Sequence, residues 1–122
     1  MDIFDAIDNN DTWNVRNLLE DGSVLSPNIR NEDGDTALFL ASIHGDTDIV
    51  KILLEYNADP NIVNEDYSGN YTYEIPLFIA ISKRYADIVK ILLEYNADPD
   101  VVNEDYETPL FTASYYGFPD IV

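Results

Sequence analysis

The 122-residue chain contains no cysteine. That excludes a disulfide framework, a thiolate nucleophile and a cysteine-based metal site, and it suits a reducing compartment. Basic residues are scarce: Lys and Arg number 6 against 24 Asp and Glu, for a formal charge of −18. Such a surface repels phosphate backbones and anionic lipid alike, so neither direct nucleic-acid binding nor membrane binding is expected. No run approaches the roughly 18 apolar residues of a membrane helix. The opening MDIFDAIDNND is acidic from its second residue and lacks the basic and apolar regions of a targeting peptide. The N-x-T tripeptides at Asn10 and Asn70 would matter only in a secreted chain, and a cytoplasmic setting is expected. The one histidine, His44, has no Ser-x-Gly elbow or HExxH around it and reads as a surface residue, not a catalytic base. Glycines 22, 34, 45, 69 and 117 form neither GxGxxG nor GxxxxGK, which leaves nucleotide binding without support. Asp33-Gly34-Asp35 lacks the twelve-residue frame and closing Glu of a calcium loop. No catalytic residue, cofactor or metal ligand is expected.

What the chain does have is repetition, together with a 46% hydrophobic content that can supply one continuous core. The segment DIVKILLEYNADP runs from Asp48 to Pro60, recurs unchanged from Asp87 to Pro99, and begins again at Asp120-Ile121-Val122, with offsets of 39 and 33. VNEDY occurs at Val63–Tyr67 and at Val102–Tyr106, with the related NEDGD starting at Asn31. The longer interval arises between Asn64 and Phe78, where one copy carries six additional residues.

Each unit reads as turn, helix, turn, helix. Thr108 is a suitable N-cap and Pro109 a suitable first helical residue, since its missing N–H costs nothing there. Gly45 and Gly117 stand where the first helix must leave through a left-handed residue. The second helix, Ile49-Val50-Lys51-Ile52-Leu53-Leu54-Glu55-Tyr56, is apolar on nearly every side and is expected to be sandwiched between neighbours. Asn57 and Asn96 stop the two complete copies, asparagine being the best non-glycine residue for a left-handed helix end.

A 33-residue period with Thr-Pro-Leu opening the first helix resembles the ankyrin repeat, whose signature joins T-P-L-H-x-A, G-H, I-V-x-x-L-L and G-A-D-x-N. Thr36, Ala37, Leu38, Ala41, Gly45, Ile49, Val50, Leu53, Leu54, Ala58, Asp59 and Asn61 carry it. The resemblance spans essentially the whole chain. It implies an all-α repeat solenoid of helix-turn-helix units with projecting β-hairpin loops, in one domain over residues 1–122. The units expected are an N-terminal capping repeat (1–30), a repeat (31–63), a repeat with an extended hairpin (64–102) and a truncated repeat (103–122). Phe39, Phe78 and Phe111 replace the signature histidine, which exchanges a polar link for apolar packing. Ile75 replaces a capping Thr and Arg84 a helix-ending Gly, so the third unit should be the least regular.

Ankyrin proteins generally bind protein partners on a concave surface, and the resemblance implies a scaffold or adaptor with no catalysis of its own. In this numbering the hairpin tips are Glu32, Asp33 and Asp35, then Glu65 and Asp66, then Glu104, Asp105 and Glu107. The first-helix contact positions are Ile43 and His44, Ser82 and Lys83, Tyr115 and Tyr116. Tyr67, Tyr71 and Tyr73 in the long hairpin form a candidate gripping finger. A ridge of carboxylates points to a basic partner. The other reading of the same acids is a nucleic-acid mimic that inhibits a DNA- or RNA-binding protein, and the bland one is solubility alone. The richness in Asn, Ile and Tyr resembles ankyrin proteins of large viruses and intracellular bacteria, which would place the chain in a host cell. Because the sequence stops partway into a second helix, self-association through an uncapped last repeat is a further expectation.

Overall fold

A computed structural model describes residues 2–64, 75–102, 106–115 and 117. Among them are seven helices: α1 (Ile3–Asp8), α2 (Thr12–Glu20), α3 (Ala37–His44), α4 (Thr47–Glu55), α5 (Pro76–Ser82), α6 (Ala86–Glu94) and α7 (Pro109–Tyr115). They fall into three pairs followed by α7. Within each pair the two helices touch, α1 with α2, α3 with α4 and α5 with α6. Between pairs, α1, α3, α5 and α7 touch in succession as one row, and α2, α4 and α6 as another.

Local chemistry explains the boundaries. Asp2 and Asp5 form a reciprocal capping box on α1, and Asp11 accepts the Asn14 N–H at the start of α2. Thr36 Oγ1 accepts the Phe39 N–H at 3.2 Å, and Thr108 Oγ1 accepts that of Phe111 at 3.2 Å. At α5 the cap is Ile75, which offers no side-chain bond and is instead buried. The turns inside the pairs pass through left-handed residues at Asn10, Gly45 and Arg84, Gly117 after α7 is left-handed as well, and α4 and α6 are followed by left-handed Asn57 and Asn96. The substitution at Arg84 is therefore accommodated without any change in the turn: its φ of 61° matches the 74° of Gly45.

The core runs through all the pairs. Ile3, Ile7, Val15, Leu38, Ile49, Val50, Leu53, Leu77, Ile81, Ile88, Val89 and Leu92 are fully buried. The second helices are less enclosed than their composition suggests, because Asp48, Lys51 and Glu55 of α4 lie exposed at i, i+3 and i+7, one stripe facing water. Phe39 and Phe78 are buried as expected of apolar packing, whereas Phe111 is 54% exposed; the exchange of histidine for phenylalanine produces a core residue in only the first two of the three copies.

Asparagines tie one connector to the next. Asn28 Oδ1 accepts the Asp59 N–H at 2.8 Å, and Asn61 Oδ1 accepts the Asp98 N–H at 2.7 Å. Asn61 Nδ2 also donates to the Asn96 carbonyl at 3.2 Å. On the side of the second helices, the Tyr56 hydroxyl donates to Glu20 at 2.6 Å, bridging the first two pairs.

Gly45 and Arg84 test opposite sides of the same constraint. A Cβ at Gly45 would stand 2.9 Å from the Tyr85 ring, in addition to the left-handed backbone. Gly45→Ala should cost about 1–2 kcal/mol in urea unfolding, and Tyr85→Ala in the same chain should recover part of that coupling. Arg84→Gly should stabilise by about 0.5–1 kcal/mol; a destabilised Arg84→Gly would mean that the arginine side chain contributes more than its backbone costs.

Candidate functional site

The first hairpin is built by short-range bonds. Arg30 and Thr36 form an antiparallel bridge, and the Asn31 N–H donates to Asp35 O at 2.9 Å. Asn31 Oδ1 accepts the N–H groups of Asp33 and Asp35, both at 3.0 Å, and Gly34 turns the chain at φ 82°. Arg30 Nη1 then donates to two carbonyls at 2.9 Å, those of Gly34 and of Val63 beside the next hairpin. This clamp holds the tip and leaves Glu32 and Asp33 exposed, while Asp35 is half-buried.

The tip precedes α3, and Ile43 and His44 lie in that helix's last turn. Eight residues at 1.5 Å each separate the two groups by about 12 Å along the helix. Ile43 is half-buried and His44 exposed, with His44 Nε2 3.2 Å from Asp8 Oδ1 of α1. The pair links neighbouring first helices, which the sequence did not disclose. Ser82 ends α5, with Lys83 immediately after it; both are exposed, and Tyr115 at the end of α7 is 76% exposed. Glu32 and Asp33 thus stand before α3 with His44 at its end, and Lys83 and Arg84 follow α5, while α1 ends on an acid, Asp8. Just after α3, burial holds the Asp46 carboxyl above the ordinary aspartate range, with the neighbouring His44 acting in the opposite sense.

The family model for ankyrin repeats (3 copies) matches residues 3–103 and 63–122. The chain belongs to the ankyrin repeat family. It is 43% identical over 65 residues to an ankyrin repeat protein of fowlpox virus, a match covering 53% of this chain and 8% of that one. An ankyrin repeat protein of Acanthamoeba polyphaga mimivirus is 45% identical over 51 residues, 42% of this chain and 12% of its own length. A serine/threonine-protein kinase of Arabidopsis thaliana is 48% identical over 52 residues, again 12% of its length. The chain therefore matches only about a tenth of these relatives.

Ankyrin repeats in general are protein-interaction units and are generally non-enzymatic, the kinase match being a short portion of a much longer protein. No helix is long and apolar enough to cross a membrane, and no group of three or more His, Asp or Glu could hold a metal, both among the described residues. Glu65, Asp66, Tyr67, Tyr71, Tyr73, Glu104, Asp105 and Tyr116 lie outside the described residues. Of the remaining expected positions, Glu107 is half-buried just before α7.

Tyr106 was not among the expected positions. It is 86% exposed and left-handed, with φ 59°. Aligning NEDGD at Asn31 with NEDYE at Asn103 puts it at the place of the turn glycine Gly34, so the signal was a bulky residue where the turn favours glycine. A strained, solvated aromatic at a loop is more often a contact residue than a stabilising one. Tyr106→Gly should accordingly raise stability by about 0.5–1 kcal/mol in chemical unfolding; an unchanged or lowered midpoint would show the ring to be a packing residue.

The Asp46 shift fixes a second expectation. A carboxyl whose folded-state pKa is raised contributes stability that is complete below the ordinary aspartate value and is lost as pH rises through the raised one. Asp46→Asn should unfold at higher urea than the parent at about pH 7 and converge with it near about pH 3, monitored by circular dichroism.

Proposed function

We propose that this chain is an ankyrin scaffold or adaptor that docks a basic segment of a partner protein across its hairpin tips and its row of first helices. The observation that carries the reading is the first tip. Glu32 and Asp33 are exposed on a turn held by Asn31 and by the Arg30 clamp to Val63 O. Preorganised carboxylates lose little conformational entropy on meeting a cation. Glu65 and Asp66 stand at the same sequence register 33 residues on, so the sequence repeats this acid pair at the period of the units. Complementary charge acts chiefly on association rate and on the choice of partner.

Partners captured on the immobilised chain and identified by mass spectrometry should carry Lys- and Arg-rich segments, and their affinity should fall as salt is raised. Changing Glu32, Asp33, Glu65 and Asp66 to Lys should weaken binding by about tenfold or more. The same number of reversals at Asp48, Asp87, Glu94 and Asp100, which stand apart from the tips, should have a much smaller effect. Equal losses from the two sets would mean that net charge governs binding. Displacement of the partner by duplex DNA would favour the nucleic-acid mimic instead.

A further inference from the structure

Trp13 is 72% exposed on α2, on a face of the fold remote from the hairpins in sequence and outside the surface proposed above. Register with the other second helices shows what is unusual about it. Asn14 and Asn17 stand where α4 has Ile49 and Ile52 and α6 has Ile88 and Ile91. In α4 both isoleucines are buried. The first unit has replaced the apolar stripe with amides, as befits a face that meets water. Against that trend, Trp13 occupies the position held by Asp48 and Asp87, so the only tryptophan of the chain is presented to solvent where its counterparts are acids.

An open groove of about 440 Å³ lies here, lined by Trp13, Asn14, Asn17, Leu18, Glu20 and Asp21. Its chemistry discriminates among occupants. An apolar helix laid over it would bury the Asn17 amide and the Glu20 and Asp21 carboxylates against hydrocarbon, at a cost of the order of kilocalories. A second copy of the chain would bring another formal charge of −18 to a face already bearing two acids, and like charge opposes that contact. A guanidinium meets every feature: it stacks flat on an indole, and its forked N–H groups match carboxylate and amide oxygens. Asp21 is suited to receive it, since the Ser23 N–H at 2.8 Å and the Ser23 side chain favour its ionised form. Glu20 is positioned by the Tyr56 hydroxyl at 2.6 Å.

We propose that the groove beside Trp13 is a second binding site, which takes an arginine side chain of a basic peptide between the indole face and the Glu20 and Asp21 carboxylates. The site is separate from the tips, so either can fail without the other.

Because Trp13 is the only tryptophan, its emission reports this face alone. Titration of the intact chain with a hexa-arginine peptide at physiological salt should give a saturable change in emission. Hexa-lysine, a compact point charge without a stacking plane, should bind more weakly, and hexa-glutamate should give no change. Asp21→Asn should weaken the arginine response by roughly threefold to fivefold, with circular dichroism verifying the fold. The variant with Lys at Glu32, Asp33, Glu65 and Asp66 should keep the response, which separates this site from the hairpin surface. By calorimetry Trp13→Ala should lose one class of sites that Trp13→Phe retains. Three results would each overturn the proposal: no emission change with hexa-arginine, a response identical for hexa-lysine and indifferent to Asp21→Asn, or an emission that shifts with protein concentration before any peptide is added, which would indicate contact between copies.

Discussion

A pair of short helices cannot bury both of its apolar faces, so each pair in this chain depends on the next for its core. Val15, Val50 and Val89, and with them Leu53 and Leu92, are wholly buried although each belongs to a helix of only nine residues. Isolated helices of that length are marginal in water. Stacking supplies what propensity cannot, and stability is then a sum over neighbouring interfaces more than a property of any single unit.

That dependence explains where polar groups may sit. Hydrogen bonds between units lie outside the core: Asn28 and Asn61 accept backbone N–H groups from the following connector at exposed positions, and Arg30 reaches the Val63 carbonyl from a part-buried one. Among the described residues no buried side-chain nitrogen or oxygen lacks a partner. The Arg30 clamp that joins two units also holds the first hairpin, so one side chain both stacks the fold and presents Glu32 and Asp33. Residue type and backbone conformation part company at Tyr106, where a left-handed tyrosine occupies a turn position that Gly34 fills without strain.

Charge is distributed with equal economy. A chain at −18 carries a diffuse self-repulsion, and two basic side chains are placed where they meet acids: Arg16 lies 3.9 Å from Glu55, and His44, a cation only when protonated, 3.2 Å from Asp8. Exposed pairs of this kind contribute little to stability.

Much of the fold was legible in the sequence because repetition turns local signals into long-range ones. The cap at Thr108 and the left-handed positions at Asn57 and Asn96 follow from which residue types a helix end accepts, whereas Arg84 was legible only through the repeat, which aligns it with Gly45. The tip acids Glu32 and Asp33 were legible for the same reason. What the sequence could not disclose is anything that depends on the distance between one unit and the next. The Asp8–His44 pair, the Tyr56–Glu20 bond and the reach of Arg30 to Val63 join residues 33 to 36 positions apart, and no local pattern marks them. Exposure was equally hidden: Phe39 and Phe111 occupy the same register, but one is 3% exposed and the other 54%. Residue type determined which positions could be core, whereas the presence of a packed neighbour decided which of them became so.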